Sequence, residues 1–311
     1  MGRIIAGIDG SHGSRMALTW AVREAAARKT MLQPVIAWQR PAEHGDTPHD
    51  LVSDEQLAER AAREQLEQVL ESVAGQSPVT IADALVMRGD PARVLCEQSA
   101  GADLLVVGSR GLGGFAGLLL GSVSAKCARH SRCPLVIVRD GQAGDDHSQI
   151  RRIVAGTDMS DGSARALGWA ADEAALRGAS VEAVEVWADP YGGDMSLELN
   201  MEHFRAERIV QLERAEDRLA ATVGETAARH PGLVVVPVLL QGEDPAQILC
   251  ERSADADLLV VGSRGHGGFL RLTLGSVGDA CAHHSKCPVA IIPKARRAGR
   301  TGIRTLAGAS P

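Results

Sequence analysis

The sequence predicts two α/β domains in tandem, each a parallel sheet with helices on both faces, and three observations lead there. The chain repeats itself: Arg3-Ile4-Ile5-Ala6-Gly7-Ile8-Asp9 returns as Arg152-Ile153-Val154-Ala155-Gly156-Thr157-Asp158, an offset of 149. Asp90-Pro91-Ala92 returns as Asp244-Pro245-Ala246 at an offset of 154, and the run from Ala102 to Gly111 reappears unchanged from Ala256 to Gly265, so the second copy carries a short insertion. Such a period is far longer than a solenoid repeat and fits a whole domain. Within each copy, strand-like apolar runs alternate with helical stripes, the crossover pattern that parallel strands require. Finally, 45% of the 311 residues are apolar but only 3% aromatic, so the cores are built from Ala, Val, Leu and Ile.

Taken in order, Arg3 to Asp9 reads as a buried strand, and after the turn Gly10 to Ser14, Ala17, Leu18, Ala21, Val22 and Ala25 recur at helical spacing. Pro34 to Trp38 is a second strand, followed by a polar loop from Gln39 to Asp50. From Leu51 to Val73, Leu57, Ala61, Leu66, Val69 and Leu70 form one helical stripe. Val79 to Met87 is the third strand, Pro91 to Ser99 a short helix with proline in its first turn, and Leu104 to Val107 the fourth strand. Ser122 to His130 is the last helix and Leu135 to Val138 the fifth strand. Domain 1 is thus residues 1–139 and domain 2 residues 151–293, with a polar linker at 140–150. The tail 294–311 carries arginine and glycine without an apolar period and is expected to be disordered.

Composition narrows the function. There are 39 acidic residues against 33 Lys and Arg, a net charge of -6, with no basic block, which argues against a nucleic-acid partner. The apolar runs are too short to cross a membrane. The N-terminus has no signal-peptide pattern, and a cytoplasmic location is expected. Six cysteines, at 96, 127, 133, 250, 281 and 287, match in pairs across the copies and are expected to be free thiols. The spacing Cys127, His130, Cys133 invites a zinc reading, but it offers only three ligands beside a buried strand, so structural thiols and no metal site are expected. His12 is placed in a loop without a partner. Asp103 and Asp257, each preceding a core strand, read as caps or turn residues.

The chemistry concentrates in a glycine-rich loop after the fourth strand. Gly108-Ser109-Arg110-Gly111 leads to Gly121-Ser122-Val123, and Gly262-Ser263-Arg264-Gly265 leads to Gly275-Ser276-Val277. Glycines at a strand end and at a helix start let backbone N–H groups approach a ligand, and the helix N-terminus favours an anion. Neither loop continues into the Gly-Lys-Ser/Thr of a Walker A motif. Ser122 and Ser276 are expected to cap the last helix and donate to a phosphate oxygen. Arg110 and Arg264 either pair with phosphate or lie solvated in the loop.

With its strand-ending Asp9 and Asp158, the turns that follow, and the spacing Gly-x2-Gly-x9-Gly-Ser in both loops, the chain resembles the universal stress proteins in their tandem form, from Arg3 to Val138 and from Arg152 to Ile292. The resemblance implies a flavodoxin-like, five-stranded sheet in each half, ordered 3-2-1-4-5, with ATP across the carboxyl ends of the first, second and fourth strands. It implies that Asp9 with Gly10, and Asp158, contact the nucleoside, and that the backbone at Ala37 and Val186 hydrogen-bonds adenine. Gly108, Gly111, Gly121, Ser122 and Val123 would line ribose and phosphates, as would Gly262, Gly265, Gly275, Ser276 and Val277. At Gly121 and Gly275 the expectation is a close phosphate approach, with a positive φ as a further reason for glycine.

The resemblance also implies an internal pseudo-dimer through the fifth strands, leaving helical surfaces free for a chain-to-chain homodimer. The leading function is a regulatory ATP-binding module, because neither half shows a repeated catalytic base or nucleophile. The alternative is a slow ATPase or nucleotidyl-transfer enzyme using the same pockets with Mg.

Overall fold

In the computed structural model, which describes residues 2–39, 51–73, 79–112, 119–139, 150–189, 201–265 and 274–294, each half supplies five strands and four helices. The first half runs β1 (Arg3–Ile8), α1 (His12–Arg28), β2 (Met31–Trp38), α2 (Leu51–Glu71), β3 (Leu85–Arg88), α3 (Pro91–Gln98), β4 (Leu104–Gly108), α4 (Ser122–His130) and β5 (Leu135–Val138). The second runs β6 (Arg152–Thr157), α5 (Asp161–Arg177), β7 (Ser180–Trp187), α6 (Met201–Arg229), β8 (Val235–Gln241), α7 (Pro245–Arg252), β9 (Leu258–Gly262), α8 (Ser276–His284) and β10 (Val289–Ile292). The linker 140–149, the tail 295–311 and most of the polar loop after β2 lie outside the described residues.

The strands form one ten-stranded sheet in the order β3-β2-β1-β4-β5-β10-β9-β6-β7-β8. Within each half all pairs are parallel and the chain order is 3-2-1-4-5. The halves meet where β10 runs antiparallel to β5, with Ala290 opposite Val136, so an approximate two-fold axis relates them. Apolar side chains fill both faces: Leu104 and Val106 of β4 join one cluster, Leu105 and Val107 the other. That is why these strands read as continuous apolar runs rather than alternating ones. Both clusters cross the seam, through Val136 and Ala290 on one face and Ile137 and Val289 on the other.

Charge also joins the halves. Glu24 of α1 and Glu173 of α5 are each only 1% exposed, and Arg28 and Arg177 each pair with both of them. Arg28 also lies over the Trp169 ring, 5.6 Å from its centroid. On the opposite face Arg129 pairs with Asp279 at 3.1 Å.

Three local expectations are corrected. His12 is not in a loop but opens α1, because Ser11 caps the helix and its Oγ accepts from the Ser14 N–H at 3.1 Å. The third strand does not run unbroken from Val79: Ile81 makes one bridge to Leu32, and regular pairing starts only at Leu85 opposite Val35. From there the chain takes four steps (81 to 85) against three on β2 (32 to 35), one extra residue that bulges the edge. The last helix begins at Ser122 as expected, but its cap differs. Gly121 and Gly275, in extended backbone at φ -77° and -76°, are the N-caps of α4 and α8, and Ser122 and Ser276 sit one residue inside without capping. The expected positive φ at these glycines is therefore absent.

Candidate functional site

The carboxyl ends of β1, β2 and β4, with the starts of α3 and α4, enclose a cavity of about 340 Å3, and the matching elements of the second half enclose one of about 420 Å3. Both volumes lie in the range of small-molecule sites. The inner wall is apolar: Val35, Ala37, Leu95 and Val107 in the first half, and Val184, Val186, Leu249 and Val261 in the second. The rim is polar and rich in glycine. Asp9, Gly108, Arg110, Gly111, Gly121, Ser122 and Val123 line the first, and Asp158, Gly262, Arg264, Gly265, Gly275, Ser276 and Val277 the second. One expected residue is not at the cavity. Gly10, at φ +77°, turns the chain beneath α2, where a Cβ would come within 2.0 Å of Gln65 Nε2.

Asp9 is a structural keystone of its rim. Its Oδ1 accepts from the Ser11 N–H at 3.0 Å and the Ser11 hydroxyl at 2.6 Å, while its Oδ2 accepts from the Leu112 N–H at 3.1 Å. The loop can lie this close because residue 111 is glycine: a Cβ there would stand 2.3 Å from Asp9 Oδ2, and one at Gly265 would stand 2.0 Å from Asp158 Oδ2. The Asp9 carboxylate thus pins the first turn of its loop to the strand end, and in the second half the Asp158 carboxylate lies against Gly265.

The start of α4 is a different kind of glycine site. A Cβ at Gly121 would meet only ordinary contacts, with backbone atoms of residues 109–111 at 3.4–3.7 Å, and Gly275 is alike at 3.5–3.9 Å. The protein alone does not require glycine there. The absent side chain leaves a notch between the strand-end turn and a helix start that has no side-chain cap. The first N–H groups of a helix have no intrahelical acceptor, so the notch is bordered by donors and by the positive end of the helix dipole.

The halves differ on the face of the sheet opposite the cavity wall, the face turned to α2 and α6. At the position of Ile36 in β2, β7 carries Glu185, which is 9% exposed. Burial, opposed by Arg218 and reinforced by the Asp158 carboxylate, raises its carboxyl above the ordinary range. Arg218 of α6 lies 4.0 Å from Glu185 Oε1, and Oε2 is buried without a hydrogen-bond partner among the described residues. Gln65, the counterpart of Arg218 in that both precede a buried leucine (Leu66, Leu219), instead donates to the Asp9 carbonyl at 3.0 Å. Ser124, whose hydroxyl donates to the Gly108 carbonyl at 2.6 Å, is replaced by Gly278.

Sequence reasoning missed the apolar wall and the first turns of the helices: Ser14, Val35, Pro91, Leu95, Val107 and Ser124 also line the first cavity. A signal existed, since Ser14, Pro91, Leu95 and Val107 recur as Ser163, Pro245, Leu249 and Val261.

Comparison with known proteins gives a consistent picture. The model of the universal stress protein family matches residues 1–139 and again 149–293. Universal stress protein Rv2623 of Mycobacterium tuberculosis is 32% identical over 307 residues, covering 93% of this chain and 95% of the relative. Universal stress protein Rv2005c of the same organism is 32% identical over 296 residues, covering 93% and 96%. Among solved structures, a universal stress protein from Archaeoglobus fulgidus superposes with a TM-score of 0.65 at 19% identity, covering 94% of this chain and 96% of its own. The protein PA1789 of Pseudomonas aeruginosa gives 0.56 at 18% identity, covering 94% and 92%; these two support the fold. Among the described residues no helix is long and apolar enough to cross a membrane. With the family matched over both halves and full-length relatives of the same two-domain extent, this chain belongs to the universal stress protein family as a tandem of two such domains.

Proposed function

We propose that this protein binds one ATP in each half and acts as a regulatory module whose nucleotide occupancy governs its interactions, in the cytoplasm. The observation that carries the reading is the notch at Gly121 and Gly275, where glycine is kept although the fold has room for a Cβ. Beside it each cavity offers an apolar wall of the size an adenine ring needs and a rim of backbone donors suited to a polyanion. Asp9 and Asp158 lie on the rim, where they would meet the ribose, and Arg110 and Arg264 on the same rim would face the phosphates. ATP would supply its own phosphate charge with an accompanying Mg; the chain's part is to hold the base in a dry pocket and to present N–H groups to the phosphates.

The test is the pair of variants Gly121→Ala and Gly275→Ala with the double variant, titrated with ATP by calorimetry. A Cβ fits the fold at both positions, so the variants should stay folded. Each single variant should lower binding in one half by about tenfold or more, each tenfold step being about 1.4 kcal/mol. The stoichiometry of tight binding should fall from two per chain to one, and in the double variant to none. Unchanged ATP affinity in the double variant would sink the reading.

A further inference from the structure

The six cysteines are all free thiols, and they divide into two kinds. Cys133 and Cys287 lie buried just before β5 and β10, and burial pushes the Cys133 thiol up to about 11 and moves Cys287 the same way. The other four are matched between neighbouring helices. Cys96 on α3 packs on the apolar cluster that holds Cys127 of α4, and Cys250 of α7 and Cys281 of α8 share that cluster, so that each pair of thiols is close enough to bond when one sulfur ionises. In each half those two helices pack directly on each other.

Within the first pair the sulfurs are unlike. Cys127 is wholly buried, whereas Cys96 is half-buried and opens into a surface cavity of about 470 Å3 lined by Arg93, Lys126, Arg132 and His130 and by the carboxylates Asp90 and Glu97. The bond from Cys127, helped by Arg132, holds the Cys96 thiol below its ordinary range, and the same bond together with burial holds Cys127 above it. The sulfur that loses its proton first is therefore the one that solvent can reach, and its neighbour is a thiol that keeps its proton. A nucleophilic, accessible sulfur beside a resolving one is the arrangement that redox chemistry needs. In the second pair Cys250 is only 8% exposed, so the same chemistry is there with less access.

We propose that Cys96 and Cys127 form an oxidisable dithiol that a hydroperoxide closes to a disulfide between α3 and α4, with Cys250 and Cys281 a slower second copy. The Cys96 thiolate attacks the distal peroxide oxygen, the O–O bond breaks, and the leaving oxygen takes a proton to become water or an alcohol. Cys96 is then a sulfenic acid. The Cys127 sulfur attacks the Cys96 sulfur, the S–O bond breaks, and the oxygen departs as water with the Cys127 proton. In sum, two thiols and one hydroperoxide give one disulfide, one alcohol or water, and one further water; the sulfurs lose two electrons and the peroxide gains them. The cross-link would join the two helices whose first turns, at Pro91 and Ser122, wall the first cavity.

The test uses the reduced full-length chain treated with hydrogen peroxide, quenched in acid, alkylated and mapped by peptide mass spectrometry. The expected first product is a peptide pair linked through Cys96 and Cys127, at a time when Cys133 and Cys287 are still alkylated as free thiols. A Cys250–Cys281 link should follow more slowly. In Cys127→Ser, checked for folding by circular dichroism, a dimedone-type probe should capture Cys96 sulfenic acid about tenfold or more above the unsubstituted chain, because nothing resolves it. Should that variant fail to fold, the linked peptide of the natural chain decides alone. Oxidation of Cys133 at the rate of Cys96 would overturn the proposal, as would advance of Cys96 to sulfinic acid, or its linkage to another chain, while Cys127 remains a thiol.

Discussion

The two halves keep the glycine loop nearly letter for letter, and the apolar cavity wall with it, yet differ on the other face of the sheet. In the first half, Gln65 reaches from α2 to the Asp9 carbonyl over an apolar Ile36; in the second, Arg218 faces a buried Glu185 instead. The turn after the first strand differs in the same place, with Gly10 at φ +77° against Met159 at φ 62°, a conformation that a side chain adopts at some cost. The loop and the notch at the start of α4 and α8 are held constant by backbone geometry, whereas the side facing α2 and α6 has been free to exchange neutral for charged groups. Duplication has thus kept both the glycine rim and the apolar wall of each cavity and let the face of the sheet under α2 and α6 diverge.

The part most evenly shared between the halves should give the largest effect when broken. Glu24 and Glu173 are related by the repeat, are equally buried, and each accepts from both Arg28 and Arg177. Removing one carboxylate leaves buried guanidinium charge short of a partner, a loss on the order of 3 kcal/mol for a buried pair. Glu24→Ala and Glu173→Ala should each lower unfolding stability by about that amount, and by the same amount within ~1 kcal/mol, in chemical denaturation. A large loss for one and none for the other would show that the ring serves a single half and not the seam.

The divergent face under α6 should give a smaller, pH-dependent effect. Because burial raises the Glu185 carboxyl, the folded chain holds this proton to a higher pH than the unfolded chain does. The folded state then binds more protons between the ordinary carboxylate range and the raised value, so stability falls as pH rises through that window. Below the ordinary range both states are protonated and the penalty vanishes. Glu185→Ile with Arg218→Gln, which copies Ile36 and Gln65 into the second half, should remove this slope and stabilise the chain near neutral pH by about 1 kcal/mol, since a buried oxygen without a partner is no longer desolvated. Identical pH profiles for the natural and swapped chains would show that the carboxyl is not the source.

How much of this the sequence revealed follows the physics of each feature. The strands β1, β4 and β5 were legible because parallel strands covered on both faces read as unbroken apolar runs, and the repeat tested each reading twice. The edge strand β3 was less legible, because a bulge between Ile81 and Leu85 is decided by pairing with β2 rather than by local pattern. At the site, the glycine spacing marked both loops, but it could not tell Gly111, which the Asp9 carboxylate excludes from bearing a side chain, from Gly121, which the fold alone would let be alanine. The serines after Gly121 and Gly275 looked like caps because cap preference is a matter of residue type; the extended backbone at the glycine puts the cap one residue earlier. The thiol pairs were out of reach, since Cys96 and Cys127 are 31 positions apart (127 − 96) and only the packing of α3 on α4 joins them.

The smallest expected effect sharpens the comparison at the far end of the helices. Past the end of α6, the His230 ring offers Nε2 to Asp172 Oδ1 at 2.8 Å and Nδ1 to the Thr226 carbonyl at 2.9 Å. Both partners are acceptors, and only the imidazolium can donate from both nitrogens. The Asp172 hydrogen bond, then that to Thr226, accordingly raises the His230 pKa above its ordinary value. The repeat places Arg23 where α5 has Asp172, so the first half could not favour a cation at that position. A raised histidine contributes stability that is complete below its ordinary pKa and is lost as pH climbs through the folded value. Asp172 is largely exposed, so the contribution is below about 1 kcal/mol. NMR titration of the imidazole protons should show His230 falling back toward its ordinary pKa in Asp172→Asn, and below it in Asp172→Arg, which imposes the first half's charge on the second. A titration midpoint that stays put in both variants would mean that the helix end and its carbonyl alone hold the proton, and that the halves do not differ here in the way their charges suggest.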